Sequence, residues 1–112
     1  MSDEVQTPLT HPGVTFTPFA PLAEQAGARS VCVTSASKGW NLAGAKCALI
    51  FAGNDSTAAL LASLPEEVAC RTGILGLHAN IAAYSCTGWL DHAVAHIVAN
   101  DVLLREHLPT VT

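Results

Sequence analysis

Val31-Cys32-Val33-Thr34-Ser35-Ala36-Ser37-Lys38-Gly39-Trp40-Asn41-Leu42-Ala43-Gly44-Ala45-Lys46-Cys47-Ala48-Leu49-Ile50-Phe51-Ala52 is the stretch on which the reading turns. It opens on a β-branched run, which reads as a buried strand, and closes on a second apolar run. Residues 31–35 and 46–52 are therefore expected as two strands, joined by a loop that holds Gly39, Gly44 and a lysine at position 38. Lys38 stands among small and hydroxyl residues at a strand end. An amine so placed can condense with an aldehyde to give a Schiff base, and burial would lower its pKa so that it also serves as a base. The plainer alternative is a solvated lysine in a strand–loop–strand connection, the ordinary state of this residue type.

Outward from that stretch the chain reads as α/β. Residues 1–30 are rich in Pro and Thr and expected to be mostly irregular, with a short helix opened by Pro21 and ended by Gly27. Asn54-Asp55-Ser56 supplies an N-cap for a helix over 57–64, which Pro65 stops. Glu66-Glu67 fit a further helical start. Residues 72–86 read as a helix with Ile74, Leu77, Ile81 and Tyr84 at helical spacing. Residues 89–107 make the longest helix, bounded by Gly88 and Pro109. His92 and His96 lie four apart on it, a spacing metal ligands use, but no third ligand is evident, and no metal site is expected.

Ser35, Lys38, Gly44 and Lys46 also carry a resemblance. The segment resembles the lysine motif of the class I/II aminotransferase family, the fold-type-I pyridoxal-phosphate enzymes: a serine three before the lysine, a glycine six after it and a basic residue eight after it. Ser2-Asp3-Glu4-Val5-Gln6-Thr7-Pro8-Leu9, followed by Pro12-Gly13, is similar to the cystathionine β-lyase-like branch, the carbon–sulfur β-lyases. Thr17-Pro18-Phe19 and Gly73-Ile74-Leu75-Gly76 look like stretches of that branch as well. The resemblance implies pyridoxal 5'-phosphate as cofactor and an amino acid as substrate. It implies Lys38 as the catalytic Schiff-base lysine and Asp3 as the carboxylate partner of the ring nitrogen. Gln6 would face the ring oxygen, and Ser35 and Lys46 the phosphate. Ser37 is the lesser phosphate candidate, since neighbours of Lys38 on an extended segment point elsewhere. For Asp3 the plain alternative is a helix cap or a terminal acid. For Trp40 it is packing rather than proximity to the cofactor.

Departures from the family pattern accompany the match. Lys46 stands where arginine is usual, keeping the charge without the two-pronged grip. Gln6 and Phe16 replace histidines, Pro8 an acidic residue and His11 an aromatic one. None of Arg29, Arg71 and Arg105 matches the arginine that binds the substrate carboxylate. The family's glycine-rich phosphate loop and ring-stacking aromatic would both precede Asp3. The expectation is therefore a fragment of the large cofactor domain: residues 1–86 as its end, with two strands around the lysine loop and then three helices, and 87–112 as a helix leading toward a small C-terminal domain.

Composition agrees with a piece of a larger core. Of 112 residues, 50% are hydrophobic and 12% charged, and the mean hydropathy is +0.37, so large apolar patches should stay exposed. A net charge of −4 without a basic run gives no footprint for nucleic acid. Apolar runs stop short of the ~20 residues that span a bilayer, no signal peptide is read at the acidic start, and Cys32, Cys47, Cys70 and Cys86 form no Cys-x-x-Cys pair. A cytoplasmic protein with no membrane partner, homodimeric at full length, is the expectation. Two functions follow: transamination or carbon–sulfur β-elimination through Lys38, or an inactive remnant or association module.

Overall fold

The structure, a computed structural model, describes residues 1–108. Its centre is a three-stranded mixed sheet. Strand β2 (Val31–Thr34) lies in the middle, where Val31, Val33 and Thr34 suit a pleated surface. Strand β3 (Leu49–Ala52) runs antiparallel to it, with Val31 opposite Ala52 and Thr34 opposite Leu49. Strand β1 (Ser2–Asp3) runs parallel to β2, with Ser2 opposite Cys32 and Asp3 opposite Val33. The sequence suggests two strands; the third is too short to show any alternation, and only its pairing with β2 defines it.

Both expected strands are trimmed on the loop side. β2 ends at Thr34 because Ser35 turns its hydroxyl onto the backbone. β3 begins at Leu49 rather than residue 46 because Lys46 caps the 3-10 turn Ala43–Ala45 in the left-handed region, at φ +50°.

Helix α1 (Phe19–Gln25) starts two residues before Pro21, which still falls in the first turn, where an amide has no intrahelical acceptor. Gly27, at φ +65°, ends it as expected. Helix α2 (Asp55–Ala62) is capped by Asn54, whose Oδ1 accepts from the Thr57 amide at 3.0 Å and the Thr57 hydroxyl at 2.8 Å. Helix α3 (Glu66–Ala69) is a single turn. Helix α4 (Ile74–Ser85) and helix α5 (Trp89–His107) follow, the latter entered through Gly88 at φ +82°. Pro109, the expected stop of the last helix, lies outside the described residues. Helix α1 packs on β2, α2 on β3, α4 on the Ala43–Ala45 turn, and α5 on a 3-10 turn at Thr7–Leu9.

The buried set is small: Ala23, Ser30, Cys32, Ser35, Ala36, Cys47, Thr57, Asn80 and Ala83, with Gly39 and Gly76. Among the described residues no Leu, Ile, Phe or Trp is fully buried. The accessible surface is 8118 Å², against about 5,800 Å² for a monomer of this mass. The radius of gyration is 17.2 Å, against about 13 Å for a compact chain of this length. The large apolar patches expected from composition are present: Ile74, Leu75, Ile81, Val102, Leu103 and Leu104 are all at least half exposed.

Candidate functional site

Four residues from three separate segments meet in one open cleft of about 350 Å³. Asp3 comes from the end of β1, Ser35 and Ser37 from the turn after β2, and Lys46 from the turn before β3; Val33, Thr34 and Cys47 are among the other wall residues. The volume lies at the low end of the ~300–1,000 Å³ that small-molecule sites occupy.

The N-terminal segment is tied down by backbone and carboxylate. The Glu4 amide donates to Val33 O at 2.8 Å, and Glu4 Oε1 accepts from the Phe19 amide at 3.1 Å. These bonds hold Asp3 at the sheet edge, where its Oδ1 accepts from the Val5 amide at 3.1 Å and the side chain stays exposed. Asp3 is thus neither a helix cap nor a free terminal acid.

Ser35 is buried and committed. Its hydroxyl donates to Cys47 O at 2.7 Å and accepts from the Ser37 amide at 3.0 Å. With its one proton spent on a carbonyl, Ser35 Oγ can only accept further bonds; it staples the end of β2 to the start of the next strand. Ser37, half-buried on the cleft, makes no side-chain hydrogen bond among the described residues. The expectation that Ser37 would point away rested on an extended segment. The backbone coils instead, with the Trp40 amide donating to Ala36 O at 3.1 Å and the Leu42 amide to Ser37 O at 3.0 Å, so Ser37 returns to the cleft.

Lys38 is the next residue in that turn. It is exposed and is not among the residues lining the cleft, so the burial expected of it is absent. Its neighbours are held firmly. An added Cβ at Gly39 would stand 2.9 Å from Pro8 Cβ, and Trp89 Nε1 donates to Gly39 O at 3.0 Å. Pro8, a departure from the family pattern, therefore packs beside the lysine. Trp40 meets Tyr84 edge-on with ring centroids 5.0 Å apart, which is a packing role. Gln6 is also off the cleft: it is exposed, and its carbonyl accepts from the Leu9 amide at 2.9 Å.

One buried residue was not singled out by its sequence. Asn80 Oδ1 accepts from the Ala36 amide at 3.1 Å, and Asn80 Nδ2 donates to Gly76 O at 3.0 Å. The signal available was the spacing of Gly76, Asn80 and Ala83, which puts small and polar residues in phase on one face of α4.

Cys32 and Cys47 are buried as small apolar groups, and burial, with the Glu4 carboxylate adding to it, pushes the Cys32 thiol up. No group of three or more His, Cys, Asp or Glu side chains gathers in a metal-binding array among the described residues, and no described helix is long and apolar enough to cross a membrane.

The donor set fits the charged ends of pyridoxal phosphate: a lysine and a free serine hydroxyl for the phosphate, a carboxylate for the ring nitrogen. No aromatic lines the cleft to cover the ring face. The buried donors left without partners, Ser30 Oγ and Trp40 Nε1, lie off the cleft and argue for no ligand in it.

No protein-family model matches the chain. It is 42% identical over 118 residues to a Mycobacterium leprae protein named "Putative cystathionine beta-lyase", and 44% identical to one of the same name from Mycobacterium tuberculosis. Each match covers 99% of this chain and 28% of the relative. A Corynebacterium glutamicum "Cystathionine beta-lyase" is 35% identical over 83 residues, covering 74% of this chain and 22% of the relative. The chain thus spans little more than a quarter of the length of the curated relatives it matches, and over that span it is similar to cystathionine β-lyase-like proteins.

Proposed function

We propose that this chain is part of a pyridoxal-phosphate-dependent enzyme that breaks the bond between the β-carbon of an amino acid and sulfur. The convergence of Asp3, Ser37 and Lys46 on one cleft, next to Lys38, carries the reading. The names of the relatives favour β-elimination over transamination. When bound, the cofactor supplies an electron sink for negative charge at the substrate's α-carbon.

The chain's own residues have separable tasks. Asp3 would hold a proton on a ring nitrogen. Lys46 Nζ and Ser37 Oγ would bind phosphate oxygens, the lysine as a point charge. Ser35 holds the two walls together through Cys47. Lys38, exposed in the turn beside Ser37, would carry the α-proton on its Nζ. Residues 1–86 then form the end of the cofactor domain, with 87–112 leading out of it.

Titration with pyridoxal 5'-phosphate tests the assignment. Losing one charge-assisted contact should weaken binding about tenfold in Asp3→Asn and in Lys46→Ala. Unchanged affinity in both would overturn it. A second reading, a non-catalytic association module, is favoured by the exposure of Lys38 and by the uncovered apolar surface.

A further inference from the structure

We infer that Gly76 and Asn80, one turn apart on α4, are positioning residues that clamp the two ends of the lysine segment. The inference rests on the cofactor reading for what the held segment does; the clamp itself rests on geometry. At the N-terminal end, Ala36 is wholly buried and its amide has the Asn80 side chain as acceptor, at 3.1 Å. The Asn80 Nδ2 group in turn donates to Gly76 O at 3.0 Å, which fixes which way the Asn80 side chain faces. At the C-terminal end, Gly76 lets the helix backbone approach the Ala45 carbonyl. An added Cβ there would stand 2.3 Å from Ala45 O and 3.2 Å from Cys47 Cβ. Backbone, not a flexible side-chain tip, would have to move. The close approach at Gly76 is made by this chain's own loop, while Gly73 has nothing within 4 Å.

The two contacts bracket the functional residues. Ala36 lies between Ser35 and Ser37, two residues before Lys38, and Ala45 directly precedes Lys46. One rigid helical turn therefore sets the spacing between the segment that carries Ser37 and Lys38 and the one that carries Lys46. Ser35, bridging Ser37 N and Cys47 O, closes the same frame from inside. Each clamp residue should consequently govern one end: Asn80 the presentation of Lys38, Gly76 the placement of Lys46.

The test uses the 112-residue chain with pyridoxal 5'-phosphate, reading affinity, the borohydride-trapped labelling rate of Lys38 at saturation, and hydrogen exchange at the Ala36 amide. Asn80→Leu, with the same branching and heavy-atom count but no acceptor, should speed Ala36 exchange and slow Lys38 labelling by about tenfold each, with affinity nearly unchanged. Asn80→Asp keeps the acceptor and should retain the Ala36 protection. Gly76→Ala should weaken affinity about tenfold and leave the saturating labelling rate near wild type. His78→Ala, exposed on the same helix, should change none of these. Equal losses of rate and affinity in both clamp variants would reduce Gly76 and Asn80 to general packing and overturn the inference. An Ala36 amide indifferent to Asn80→Leu would overturn it whatever Lys38 does. A wild-type chain that takes no label on Lys38, while Asn80→Leu still frees Ala36, would keep the clamp and sink the cofactor reading.

Discussion

Helices α4 and α5 are both apolar, yet they stand in opposite relations to the rest of the molecule. Helix α4 has 12 residues and buries Gly76, Asn80 and Ala83, the first two against the lysine segment; α5 has 19 residues and buries none of its own completely. The difference lies in side-chain size. Small and polar residues let α4 come within backbone distance of the turn at Ala45, whereas Leu75 of α4 is 83% exposed and Val102, Leu103 and Leu104 of α5 are about half exposed. The interior is thus built by close approach and hydrogen bonds, while large apolar side chains stay at the surface.

The largest expected effect breaks or confirms that contrast directly. Ala83→Leu adds volume on the buried face of α4 and should lower the unfolding free energy by about 1–3 kcal/mol. Leu103→Ala on half-exposed α5 should stay within about 0.5 kcal/mol. Urea midpoints report both, and equal losses would erase the distinction between the helices.

The polar interior sharpens it next. Ser35→Ala strands the Cys47 carbonyl and the Ser37 amide and should cost about 1–2 kcal/mol. Ser30→Ala removes a buried hydroxyl that has no partner, and should be neutral or stabilising by the same measurement. A smaller effect on stability, but a visible one on assembly, is expected from Leu75→Glu with Ile81→Glu on the outer face of α4. Sedimentation velocity should show larger species giving way to monomer, with the urea midpoint nearly unmoved.

The smallest effect is in pH. Burial and Glu4 raise the Cys32 thiol above its ordinary 9.0. As pH climbs past that value the unfolded chain loses the proton while the folded chain keeps it, so this contribution to stability is full below pH 9 and declines above it. Cys32→Ala should flatten that decline. Iodoacetamide should modify exposed Cys70 and Cys86 well before Cys32 and Cys47.

Local punctuation made much of the helical half legible in the sequence. Asn54 announces α2 through its side-chain oxygen, and Gly88 frames α5, whose bounds fall as expected. What escaped depends on tertiary pairing. β1 is two residues long and exists only against β2. The left-handed backbone of Lys46 is imposed by the turn, not by lysine's own preference. The site was legible as a residue set but not as an arrangement. Asp3, Ser35, Ser37 and Lys46 do come together, but the coiling of residues 36–42 brings Ser37 onto the cleft and leaves Lys38 off it. Asn80 was hidden because a single asparagine among Leu, Ile and Ala gives no hint of the amide it accepts from across the fold.

The most direct measurement is the visible absorption of the chain with pyridoxal 5'-phosphate, before and after borohydride, followed by peptide mapping. The account predicts a chromophore that borohydride bleaches, with the label confined to Lys38 and absent in Lys38→Ala. Label scattered over Lys38 and Lys46 alike, or none at all, would contradict it.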